Sequence, residues 1–363
     1  MDSYKNNSYK VLRILVLQVN KIWMQRGNDI QLGVRMNQLI KRCFFTVGVL
    51  AFLLVGLTSC KKDAYTYPKG AKVSDAYVDP SKEGEVPMGV KAKGYEYDYD
   101  SLTYDLVWSD EFDYEGLPDE TKWGYDVGGS GWGNNELQYY TDDKNAFVKD
   151  GKLIIEARKE EHGGKDYTSA RLVTRGKGDW TYGKFEIRAK LPAGLGTWPA
   201  IWMLPTDWEY GSWPDSGEID IMEHVGYDQD MIHCTIHTRS YYHGIGTQKA
   251  GTKRIEGVSD DFHTYTVEWL PDKIIGYVDD EEIFTYEPTK YKPNPTFKEW
   301  PFDTDFHLLL NIAVGGNWGG SRGMDESVYP VQMEVEYVKV YQSQEITKLV
   351  EEVKNAKESD GTK

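Results

Sequence analysis

The chain has 363 residues, 40% hydrophobic and 28% charged, with a formal net charge of −16, proportions that build an ordinary globular core and exclude a disordered protein. Residues 1–59 hold eight basic and two acidic side chains, which leaves the remainder near −22; so acidic a body repels phosphate backbones and argues against nucleic acid as a partner. Cys43, Cys60 and Cys234 are the only cysteines, so no disulfide framework is available, and Cys234, alone in the body, is expected to be an inert buried thiol. The 12 Trp and 26 Tyr suit a neutral ligand better, since flat aromatic faces cover the C–H faces of pyranose rings, although most single aromatics serve the core.

In chain order, residues 1–35 fit no signal peptide, and Met36 is a natural start, so they are read as an over-extended N-terminus. Lys41-Arg42 then precedes the apolar run Cys43–Leu57, about 15 residues long and too short for a comfortable membrane span. It closes on Leu57-Thr58-Ser59-Cys60, which resembles the lipobox of bacterial lipoproteins, in which the cysteine is diacylated and becomes the mature N-terminus. The resemblance implies a signal peptide over 36–59, lipidation at Cys60 and stable attachment to a membrane. Residues 60–103 are polar, rich in Gly, Pro, Lys, Tyr and Asp, and keep no lasting periodicity; they are expected to be a tether.

Strand signals dominate 104–342. Lys184–Ala189 and Thr264–Trp269 alternate apolar with polar or charged residues, the period of half-buried strands. Lys273–Val278, Asp279-Asp280 and Glu281–Phe284 read as a hairpin. Short strands between Gly-, Pro- and Asp-rich turns, with no helix-length pattern among them, predict an all-β domain of two packed antiparallel sheets. The remainder, 343–363, is a polar tail in which the charged, weakly amphipathic stretch Gln344–Lys357 predicts a short surface helix.

The densest chemistry lies in Trp213-Pro214-Asp215-Ser216-Gly217-Glu218-Ile219-Asp220-Ile221-Met222-Glu223. On a regular strand Glu218 and Asp220 share one face and Ile219 and Ile221 the other, which leaves Glu223 on the wrong side. A one-residue bulge at Ile221-Met222 restores it. Twist and side-chain lean then bring Glu218 and Glu223 toward roughly 5–5.5 Å, the separation at which one carboxylate attacks an anomeric carbon while the other protonates the leaving oxygen. Asp220, between them, would help set which group holds the proton. Three acids in six residues also fit a cation site or a solvated strand face, and spacing alone does not choose.

Further blocks stand in order around this stretch: Leu106–Phe112, Gly131–Tyr140, Trp198–Pro205 and Leu309–Gly320. Together with the Glu-x-Asp-x-x-Glu stretch they closely resemble glycoside hydrolase family 16, above all its laminarinase-like branch, over about 240 residues. The resemblance implies a concanavalin A-like jelly roll, a concave β-sandwich with a substrate cleft, and a catalytic domain over 104–342. It implies that Glu218 is the nucleophile, Asp220 the assisting carboxylate and Glu223 the acid/base. Trp202 and Trp213 look like platforms flanking the cut, with Trp198 and Trp318 as further candidates; Asn134, Arg175 and His237 match positions that hydrogen-bond sugar hydroxyls or the catalytic carboxylates.

The chemistry needs no cofactor, but the family often binds one structural calcium ion on the convex side. The matching positions are Glu111, the Gly151 carbonyl and Glu336, the last commonly Asp in family members. The implied activity is internal, retaining cleavage of β-glucan, either β-1,3 (laminarin) or mixed-linkage β-1,3-1,4. Other expectations compatible with the residues are a family 16 enzyme on a marine galactan, a transglycosylase, or a non-catalytic glycan-binding lipoprotein. The protein is expected to be a monomer, lipid-anchored in the bacterial cell envelope with its cleft at the outer surface, where polysaccharide can reach it.

Overall fold

The computed structural model describes residues 97–359; the segments 1–35 and 36–59, Cys60 and most of the expected tether lie outside them. Among the described residues two sheets of ten and eight strands stack face to face, and apart from Gln138–Tyr140, which runs parallel to Lys165–Ser169, the strands pair antiparallel. The expected β-sandwich is therefore the observed architecture. The predicted strands fall within Gly183–Lys190 and His263–Trp269, and the hairpin joins Ile274–Val278 to Glu281–Tyr286. Asp279 and Asp280 both adopt positive φ, 49° and 65°, which is the two-residue turn whose twist matches that of paired strands.

Strict alternation sends one set of side chains from each sheet into a common core. Ile201, Met203, Ile219, Ile232, Ile236, Leu308, Leu310 and Ile312 from the eight-stranded sheet meet Phe185, Ile187, Val267, Trp269, Val335 and Val338 from the ten-stranded one. Cys234 lies in this core as a free, fully buried thiol, and burial pushes its pKa up, the direction that keeps it inert. Gly276 is required opposite it, because a Cβ there would lie 2.4 Å from Cys234 Sγ.

Two boundaries differ from expectation. The stretch 97–103, assigned to the tether, is docked on the body: Tyr99 Oη donates to Glu268 at 2.6 Å, Tyr97 Oη donates to Asp272, and Lys273 Nζ sits 3.7 Å from the Tyr99 ring centroid. The buried Glu268 needs donors, and tyrosine hydroxyls supply them. The C-terminal helix runs Gln344–Ser359 and is not purely a surface element, since Ile346 and Val350, four residues apart on one face, enter the core.

Candidate active site

The opposite face of the eight-stranded sheet carries the site. Strand Glu218–Glu223 lies between Thr197–Pro205 and Met231–His237. Its register with Thr197–Pro205 passes from Ile201↔Met222 to Trp202↔Asp220, and with Met231–His237 from Asp220↔Thr235 to Glu223↔His233. Both ladders therefore carry one extra residue at Ile221-Met222, where the alternation requires it. Ile219, Ile221 and Met222 are all in the core, while Glu218, Asp220 and Glu223 are left on the outer face. Gly217 leads into the strand with φ +86°, where a Cβ would lie 2.8 Å from Phe302 and Pro301; a glycine lets the turn close against that wall.

Each of the two outer glutamates receives an indole N–H. Trp213 Nε1 donates to Glu218 Oε2 and Trp198 Nε1 donates to Glu223 Oε1, both at 3.0 Å. His237 Nε2 lies 3.7 Å from Glu218 Oε1 and 3.4 Å from Asp220 Oδ2, and Glu218, Asp220 and His237 each offer an atom within 4.8 Å of the others.

Burial governs the three carboxyls, because desolvation disfavours the charged form. It raises Glu218 well above the usual carboxylate range; Asp220 adds to the rise, and His237 and the Trp213 N–H oppose it. Asp220 is pushed up to about 8 by burial, against a hydrogen bond with Glu218. Glu223 is pushed up to about 8 by burial and by Asp220, with His237 and the Trp198 N–H pulling down. Burial of this kind lets one carboxyl keep a proton to donate at neutral pH, whereas attack requires another to be ionised.

The remaining expected residues divide. Trp318 stands edge-on to Trp198 at 5.4 Å and to His233 at 4.9 Å, so these three flank Glu223. Trp213 packs against His237 and against His243 from the loop beyond it, at 5.9 and 5.1 Å. Trp202 is half-buried beside Asp220, but the Arg171 guanidinium covers one of its faces at 4.6 Å and the Trp132 ring at 4.8 Å. Asn134 sits on the turn before the buried Glu136, and its backbone carbonyl accepts from Asn317 N at 2.7 Å.

Arg175 pairs its guanidinium with the fully buried Asp126 at 2.9 Å. Arg171, four residues earlier, is buried 3.2 Å from the same carboxylate, with its guanidinium over the Trp202 ring. The alternation Arg171-Leu172-Val173, with Leu172 in the core, carries the signal that was missed. Asn311, a polar residue inside the apolar run Leu308–Val314, is a second such signal.

The calcium positions do not fit an ion as they stand. Glu111 Oε1 is 3.1 Å from Lys339 Nζ and Glu336 Oε2 is 2.6 Å from Arg188 Nε, so each carboxylate already faces a cation. Gly151 forms a turn at φ +71°.

Comparison with known proteins agrees with this fold. The family model for Glycosyl hydrolases family 16 matches residues 132–339. The chain is 58% identical over 243 residues to a β-glucanase of Rhodothermus marinus, covering 66% of this chain and 85% of the relative. The X-ray structure of the laminarinase from Rhodothermus marinus superposes with a TM-score of 0.66 at 56% identity, covering 67% of this chain and 99% of that one. A non-specific endo-β-1,3(4)-glucanase of family 16 superposes with a TM-score of 0.63 at 42% identity, covering 74% of this chain and all of its own.

Proposed function

The chain belongs to glycosyl hydrolases family 16 and is a glycoside hydrolase, and from that premise we propose that it cuts β-glucan internally with retention, Glu218 acting as nucleophile and Glu223 as acid/base. The observation that carries the assignment is the bulge at Ile221-Met222, which keeps all three acids on one face while Ile221 and Met222 stay in the core.

In the first step Glu223 gives its proton to the leaving oxygen as Glu218 forms the bond to the anomeric carbon. In the second, Glu223, now ionised, takes a proton from water, and that water breaks the glycosyl–Glu218 bond, restoring the β configuration. Glu218 has to be ionised for attack; its burial and Asp220 oppose that form, and the Trp213 N–H and His237 favour it, while burial keeps the proton on Glu223. Asp220, hydrogen-bonded to Glu218, shares the proton inventory of the pair.

Relatives named as a β-glucanase, a glucan endo-1,3-β-glucosidase and an endo-1,3-1,4-β-glycanase support the substrate class. Digestion of laminarin, barley-type mixed-linkage glucan, agarose, porphyran and carrageenan, with chromatography of the products, tests it. Cleavage of either glucan is expected, and activity confined to a galactan overturns the substrate while leaving the mechanism. The lipobox-like Leu57–Cys60 supports anchoring at Cys60, with the enzyme monomeric at the outer surface of the cell envelope. Cys60→Ala should release it from the membrane fraction, and unchanged fractionation sinks the anchor.

A further inference from the structure

Behind the cleft floor lies a carboxyl that the reaction does not use. Glu136 is buried, although its pairing in the sheet is a single bridge to Gly315. Three donors converge on it: Gln138 Nε2 at 2.6 Å and Tyr140 Oη at 3.3 Å, both to Oε2, and Asn134 Nδ2 at 3.5 Å to Oε1. Burial outweighs these donors and the nearby Arg171 and pushes its pKa up to about 7, so the group is held there at a cost that its own solvation does not explain.

The hydrogen bonds continue outward with a consistent direction. Tyr140 Oη, which donates to Glu136, accepts from Asn311 Nδ2 at 3.0 Å. Asn311 Oδ1 in turn accepts from Trp202 Nε1 at 2.7 Å. The chain thus ends on the half-buried indole beside Asp220. Arg171 over one ring face fixes the plane of that indole but not its rotation within the plane; the Asn311 bond supplies the second constraint.

We propose that Glu136 is a positioning residue for glucan binding: it fixes Trp202 through Tyr140 and Asn311, and it holds the Asn134 side chain directly. The inference rests on the assignment of β-glucan as substrate. Its consequence is a site in which two sugar-facing residues from distant parts of the chain share one buried anchor, so that a glucose ring meets a wall already oriented before binding. A β-linked glucan long enough to reach Trp202 feels the anchor; the bond-breaking groups do not depend on it.

Tyr140→Phe removes only the hydroxyl that links the two halves of the chain. Its KM on laminarin, or on mixed-linkage glucan if that is the better substrate, should rise about tenfold with kcat within roughly twofold, the size of one lost hydrogen bond in a desolvated site. Glu136→Gln should raise KM at least as much, since it places an amide against three donors and loosens Asn134 as well. In a Trp202→Phe background, which lacks the indole N–H, adding Tyr140→Phe should change KM by less than about twofold, because coupled residues are not additive. A loss that multiplies undiminished in that background, or a fall in kcat at constant KM, overturns the inference. Should Tyr140→Phe fail to fold, Glu136→Gln takes its place, and its effect should shrink but not vanish in the Trp202→Phe background, because Asn134 is still loosened. A wild-type enzyme that cuts no β-glucan sinks the functional assignment and this inference with it, whereas normal cleavage with unchanged KM in both variants sinks the inference alone.

Discussion

Trp198 reaches Glu223 from the neighbouring strand and donates its indole N–H to Oε1 at 3.0 Å. A donor to a carboxylate favours the ionised form, so this bond holds down a pKa that burial pushes up to about 8. Trp198→Phe keeps the ring but removes the donor. The alkaline limb of kcat/KM, which falls as Glu223 loses its proton, should move to higher pH, and turnover should drop roughly tenfold from the lost orientation. A pH profile decides: an unmoved or downward-shifted limb means that the N–H does not act on the Glu223 proton.

The same burial makes the site a cost to the fold. Glu223 titrates near 4.5 when unfolded and near 8 when folded. Between those values the folded state binds the extra proton, so stability is fully present below about pH 4.5 and declines as pH rises toward 8. Glu223→Gln removes that penalty. It should stabilise the protein at pH 7 by on the order of 1–3 kcal/mol, or roughly 3–8 °C in Tm, and the gain should vanish near pH 4. Calorimetry at the two pH values checks both the sign and its disappearance; a variant less stable at pH 7 would show that the carboxylate is stabilised in place.

Much of this site was legible because alternation is a strict code. Ile219, Ile221 and Met222 cannot all be buried on a regular strand that also presents Glu218 and Glu223, so the bulge followed from the letters alone. Trp198 and Trp213 were legible only as aromatics. Their hydrogen bonds to Glu223 and Glu218 depend on how strands far apart in sequence lie side by side, which no local pattern encodes. Arg175 and Arg171 show the same limit from the other direction. Both reach Asp126, and only the pairing of Arg171 with Asn311 across two strands brings its guanidinium over Trp202. The docking of 97–103 was hidden because tyrosines in a polar stretch look like a tether until Glu268 is seen to need their hydroxyls.

Calcium offers a test in which no change is the expected result. Glu111 faces Lys339 and Glu336 faces Arg188, so an ion would have to displace a side-chain cation from each carboxylate. Exposure to EGTA should leave Tm within about a degree, and millimolar calcium should add nothing beyond its ionic strength. A calcium-dependent rise of several degrees would mean that these carboxylates exchange their partners for the ion.

The division of labour between the glutamates can be separated with small nucleophiles. Both Gln variants should be nearly inactive on polysaccharide, for different reasons. Glu218→Gln removes the group that attacks, so no covalent intermediate forms whatever the leaving group. Azide or formate can occupy the space of the missing carboxylate and attack directly, giving an inverted product from an activated glycosyl donor. Glu223→Gln leaves attack possible but removes proton donation, at a cost of about 10²–10⁴-fold on an unactivated bond. An aryl glycoside whose leaving group needs little protonation should still react with that variant. The glycosyl enzyme should then accumulate, because no base activates water, until azide releases a β-azide with retention. Proton NMR of the two azide adducts distinguishes them before any rearrangement. An inverted azide from Glu223→Gln and a retained one from Glu218→Gln would exchange the two roles along the strand. Inverted products from the wild-type enzyme would mean that the bulge leaves the carboxyls too far apart for a covalent intermediate.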